Sequence, residues 1–176
     1  MTDFQSLAED CSDSEEEALR ILQQATDAVV EACELQLGLE LKPEADTAPP
    51  DQGCSTYGSG IALTAPTGGF NLMLVGDEES TNTLTRKLLF LGEDADVGRD
   101  DVADALGELV NMAAGAVKTK RPDDKPDLQL GLPLFLTGSG CIEFLAEGVY
   151  AAAKPLQGPD DIRAQMVIIW RGAGSK

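Results

Sequence analysis

Between Asp100 and Lys118 the chain reads DDVADALGELVNMAAGAVK, and its apolar residues recur at the 3.6-residue period of an α-helix. With Val102 set at zero and about 100° per residue, Leu106, Leu109, Ala113, Ala116 and Val117 all lie within about 60° of one direction. The opposite side carries Asp104, Glu108, Asn111 and Gly115. A helix so sharply two-faced must lay its apolar stripe on another layer of structure, because packing of that stripe supplies most of a helix's stability.

The rest of the chain offers that layer. Ala18, Leu19, Leu22, Ala25, Val29, Ala32 and Cys33 predict another helix, opening at Ser14 with its three following glutamates and running to about Leu37, where Gly38 ends it. The stretch Pro43 to Gly53 reads as a loop. Gly58 to Ala65 and Phe70 to Val75 read as two strands joined by a Pro66-Thr-Gly-Gly turn, hence a β-hairpin. Asp77-Glu-Glu-Ser opens a helix with Leu84, Leu88 and Leu91 as its stripe and Gly92 as its stop. Glu93 to Asp100 connects acidically to the two-faced helix, expected from Asp101 to Lys118, which Pro122-Asp-Asp-Lys-Pro terminates. Leu128 to Leu136, Cys141 to Ala153 and Arg163 to Trp170 complete the chain as three strand-like runs. The order predicts an α+β fold, a largely antiparallel sheet with long helices packed on one face. At 176 residues the chain fits one domain, here residues 17–176, preceded by an acidic N-terminal segment, 1–16, that reads as a frayed end.

Charge and composition exclude several functions. The net charge is −18, with 13 basic against 31 acidic residues, which disfavours nucleic acid or an anionic membrane as partner. There is no histidine, so Ser-His-Asp and Cys-His catalysis and histidine-ligated metals are impossible. Cys11, Cys33, Cys54 and Cys141 include no C-x-x-C pair. The acidic N-terminus lacks the features of a signal peptide, which predicts a cytoplasmic protein with reduced thiols. Gly138-Ser-Gly140 is followed by Cys-Ile-Glu143, so neither a dinucleotide fingerprint nor a P-loop is present. Asp123, Asp124 and Asp127, among two prolines and Lys125, read as a solvated turn.

The polar face of the two-faced helix holds the chemistry. Glu108 and Asn111 are three residues apart and leave the helix as neighbours. An asparagine amide can orient a water molecule through one donor and one acceptor, and Glu108 can hold a cation. Asn and Gly are poor helix formers, so their presence at 111 and 115 asks for a reason beyond solubility.

The run Asp104-x-x-x-Glu108-x-x-Asn111-x-x-x-Gly115 resembles the signature of the CheC/CheX/FliY phosphatases, which act on phosphorylated CheY. Leu132-Pro133-Leu-Phe-Leu-Thr-Gly is similar to the proline-then-glycine strand of CheX, and Ile61 to Leu72 to its Gly-Gly hairpin. Ala25 to Pro43 resembles its first helix and exit. CheC-like members carry a second E-x-x-N on the first helix; LRILQQATDAVVEACELQLG has none, so the chain resembles single-site CheX. Glu79-Ser-Thr-Asn82 also fits E-x-x-N, but lacks the flanking acid and glycine and sits where a helix starts.

The resemblance implies a CheC-like two-layer fold, with a homodimer of the kind often found in CheX, and a phospho-aspartyl receiver domain as partner. It implies that Asn111 orients the attacking water and Glu108 pairs with a receiver lysine. Asp104, Gly115 and Pro133 become supporting positions. The chain then needs no cofactor of its own, since the receiver brings Mg²⁺. The alternative reading is a CheX-like module that binds a receiver or another signalling partner without hydrolysis.

Overall fold

A computed structural model describes residues 4–47, 55–66, 68–139 and 147–172. Helix α1 (Phe4–Leu37) is followed by β1 (Lys42–Pro43), β2 (Ser55–Ala65) and β3 (Gly68–Gly76). Then come α2 (Glu78–Leu88), α3 (Arg99–Thr119), β4 (Gln129–Leu130), β5 (Leu134–Ser139), β6 (Val149–Gln157) and β7 (Arg163–Arg171). The strands form one sheet in the order β1-β6-β7-β3-β2, with β4 and β5 both paired to the far side of β2, and every pairing is antiparallel. The expected α+β architecture is the one observed.

Alternation along the strands decides which face the helices cover. Ile61 and Leu63 of β2, Leu72 and Leu74 of β3, and Met166 and Ile168 of β7 share a buried core with Leu22, Ala25 and Val29 of α1 and Leu106, Leu109 and Val110 of α3. Residues of opposite parity, Met73, Val75, Ala153 and Val167, make a second, smaller cluster with Leu136 on the other face. Both clusters exclude water, so the sheet reads as more apolar than a one-sided sheet does.

Several boundaries differ from the sequence expectation. Helix α1 begins at Phe4, ten residues before the expected start at Ser14, because no Gly or Pro in 4–13 breaks the helix. It stops as expected, with Gly38 at φ +61°. Helix α2 is capped by Asp77, whose carboxylate accepts from the Ser80 N–H at 2.7 Å. It ends at Leu88, not at Gly92: the left-handed residue is Phe90 (φ 54°), and the Leu91 N–H bonds back to the Arg86 carbonyl. Leu91 therefore leaves the stripe and is exposed, whereas Leu84 is buried.

The run Leu128 to Leu136 is two strands. Leu130 pairs with Leu63 and Leu134 with Gly60, so three residues, 131–133, face two on β2. Pro133 has no N–H to give the ladder, and the extra residue makes a bulge there. The expected strand from Cys141 to Ala153 is displaced to Val149–Gln157, and residues 141–146 of that expectation lie outside the described residues. Pro155 does not stop β6, because its carbonyl accepts from Glu44 and its nitrogen faces the same short edge strand. Strand β7 matches its expected span to within a residue.

One largely buried charge contact ties α1 to the exit of α3. Arg121, just past α3, places Nη1 2.9 Å from Glu17 Oε1, thirteen residues into α1, at angles outside hydrogen-bond geometry. Its Nε donates to the Pro126 carbonyl at 2.6 Å. Lys125 lies 3.6 Å from the same glutamate.

Candidate functional site on helix α3

The first turn of α3 is fixed by its own sequence. Asp101 reaches back and accepts from the Gly98 N–H at 2.8 Å, and Asp100 and Asp101 favour the positive end of the helix dipole. Val102, Leu106, Leu109, Val110, Ala113 and Val117 are buried at no more than 2% exposure, so the helix cannot rotate about its axis without exposing them. Its opposite face is thereby fixed toward solvent.

That face holds the residues singled out from the sequence. Asp104, Glu108 and Asn111 are exposed, and Gly115 is half-buried. Glu108 and Asn111 make no side-chain hydrogen bond or ion pair to any described residue. A Cβ at position 115 would meet nothing within 4 Å. The packing of this chain therefore does not require a glycine there. The site is a ridge whose carboxylate and amide have no partner within the described chain.

Pro133 belongs to the seat of this ridge. It lies against Gly107, one turn before Asn111, where a Cβ would come 3.3 Å from Pro133 Cβ and 4.0 Å from Ser59 Oγ. Ser59, fully buried, donates to the Ala103 carbonyl at 3.3 Å. Arg99, at the start of α3, places its guanidinium 5.2 Å from the centre of the Phe135 ring, and Phe135 meets Tyr57 edge-on at 5.0 Å. Three contacts, from β2, the β4–β5 bulge and β5, thus hold the N-terminal half of α3. Of these only Pro133 was expected from the sequence. Gly107, beside Glu108, was the available signal for the rest.

The other candidates fall away. Asn82 of the second E-x-x-N buries its amide oxygen, so that motif offers solvent no acceptor with which to hold a water. Asp123, Asp124 and Asp127 are exposed in a turn, with Asp127 3.4 Å from Lys118. Among the described residues no cluster of Cys, Asp and Glu is arranged to hold a metal, and no helix is long and apolar enough to cross a membrane. Cys33 is buried in the core, and burial pushes its thiol pKa up to about 11. Cys54 and Cys141 lie outside the described residues, as does the side chain of Cys11.

Comparison with known proteins gives this arrangement a context. The profile of the family described as chemotaxis phosphatase CheX matches residues 61–148, half of the chain, and that span contains the whole ridge and Pro133, though not Ser59. The chain belongs to the CheX family. No curated protein matches it in sequence. The fold is similar to that of CheX from Desulfovibrio desulfuricans, with a TM-score of 0.68 at 15% identity over 86% of this chain and 99% of that one. It is similar to a CheC-like superfamily protein from Shewanella sp. PV-4, with a TM-score of 0.68 at 19% identity over 86% and 97%. It also resembles CheX in a CheX–CheY–BeF3–Mg²⁺ complex from Borrelia burgdorferi, with a TM-score of 0.59 at 22% identity over 84% and 95%. These likenesses establish the shared CheX-like fold.

Proposed function

We propose that the chain accelerates loss of phosphate from a phospho-aspartyl, CheY-like receiver. Asn111 orients the attacking water and Glu108 pairs with a lysine of the receiver. The observation that carries the reading is the unpartnered Glu108–Asn111 pair on an exposed helix of a CheX-family chain, beside the open backbone of Gly115. A relative of the same fold solved in complex with CheY supports the choice of partner.

The chemistry suits what the ridge can do. A water oxygen attacks phosphorus, the bond between phosphorus and the aspartyl oxygen breaks, and the products are the receiver's carboxylate and inorganic phosphate, which keeps the water's protons. Little covalent work falls to this chain, because positioning and electrostatics supply nearly all the catalysis of phosphoryl transfer. An amide fixed on a rigid helix holds the water by a donor and an acceptor. A carboxylate one turn earlier holds the receiver's cation and sets the approach. Mg²⁺ would reside on the receiver, where it neutralises phosphate charge. Asp104 adds negative charge beside Glu108, Gly115 admits the partner's surface, and Pro133 seats the helix.

The test is phosphate release from phosphorylated receivers of the same genome. Asn111→Ala removes the water's anchor and is expected to lower kcat by at least about a hundredfold. Glu108→Ala is expected to raise KM and lower kcat together. If Asn111→Ala hydrolyses as fast as the wild type, the assignment is wrong; if the wild type binds a receiver without hydrolysis, the chain is a binding module. The same reading carries a cytoplasmic homodimer, which cell fractionation and light scattering test.

A further inference from the structure

A groove runs beside the ridge, between α1 and α3. It is about 220 Å³ in volume and is lined by Ala28, Glu31, Ala32, Leu35 and Gln36 of α1 and by Met112 and Ala116 of α3. The alanines make the lining small, Leu35 and Met112 are apolar, and Gln36 Nε2 donates to Met112 Sδ at 3.9 Å. Leu35 is 76% exposed. A lone exposed leucine is ordinary. This one borders a concave apolar surface that adjoins the proposed site: Met112 follows Asn111 and stands one turn after Glu108, and Ala116 follows Gly115.

Size and charge narrow the occupant. The volume is below the usual range for a small-molecule pocket and suits an inserted side chain. Glu31 is exposed with no ion pair among the described residues, and neither Asp104 nor Glu108 has one. The groove's rim and the ridge therefore present unneutralised negative charge around an apolar depression. We infer that the receiver which brings its phosphoryl group to Asn111 also inserts one apolar side chain, flanked by a lysine or arginine, between α1 and α3. This inference rests on the function proposed above and makes α1 a determinant of which receiver is bound.

The test uses the full chain and candidate receivers activated with beryllofluoride, titrated against wild type, Leu35→Glu and Glu31→Lys. Both positions are exposed, and unchanged thermal unfolding verifies the fold. Leu35→Glu is expected to weaken binding by at least about tenfold and to raise KM equally, with kcat within about twofold. Glu31→Lys is expected to slow association most at low salt. Affinity of Leu35→Glu within twofold of wild type overturns the groove, and so does failure of every receiver to bind. A receiver that binds, loses affinity with Leu35→Glu, and yet is not dephosphorylated by the wild type supports the groove and removes the phosphatase reading.

Discussion

Gly115 shows how a residue can be set against the interest of its own helix. Glycine costs about 1 kcal/mol in a helix interior, and no described atom lies near enough to demand it. Gly115→Ala is therefore expected to raise unfolding stability by up to about 1 kcal/mol in chemical denaturation. Gly115→Leu should stay folded and lose receiver dephosphorylation, because the bulk stands where the partner approaches. Cys33 makes a contrasting case, with a burden that lies wholly inside. Its pKa rises to about 11 in the fold against 9.0 for the free thiol, so between these values the folded state holds the proton that the unfolded state gives up. Its contribution is complete below pH 9 and lost as pH rises toward 11, by about 1.4 kcal/mol per unit. Cys33→Ala should flatten that part of the stability–pH curve.

At the scale of elements, what could be read in the sequence depended on whether the deciding contact was local. Helix α3 is legible because Asp101 caps it three residues from Gly98 and its stripe repeats every turn. The hairpin of β2 and β3 is legible from its alternation and its Pro-Thr-Gly-Gly turn. The end of α2 is not, because Phe90 adopts a left-handed backbone that sequence reasoning assigns to the nearby Gly92. That position wants glycine, and Phe90 is 79% exposed, so Phe90→Gly should raise the unfolding midpoint, by about 1 kcal/mol in stability. The bulge at 131–133 was hidden for another reason: its register is set by β2, some seventy residues away. The same holds for the seat of α3, where Ser59 and Gly107 meet only once the chain is folded.

Across the whole molecule, two long helices and one antiparallel sheet hold the ridge rigid while leaving it empty-handed. The Glu17–Arg121 contact joins the first half of α1 to the exit of α3 and involves none of the ridge residues. Arg121→Ala is expected to cost about 2 kcal/mol in global stability, since Glu17 keeps Lys125 but loses its closer partner, with kcat unchanged at 25 °C. The acidic balance has a plainer sense at this scale: of 31 acidic residues, 14 lie in the first 60 positions, against 2 of the 13 basic ones. Glu31, among them, borders the groove beside the ridge. The missing histidine agrees with a site whose working groups are an amide and a carboxylate, set into a partner.

The most direct test of the central claim is the lifetime of the phosphoryl group on a receiver mixed with much less than one equivalent of this chain. The account predicts that wild type shortens the lifetime with multiple turnovers, while Asn111→Ala, equally folded, leaves it at the receiver's own rate. Unchanged lifetimes for every receiver of the same genome, or an Asn111→Ala chain as active as wild type, would contradict it.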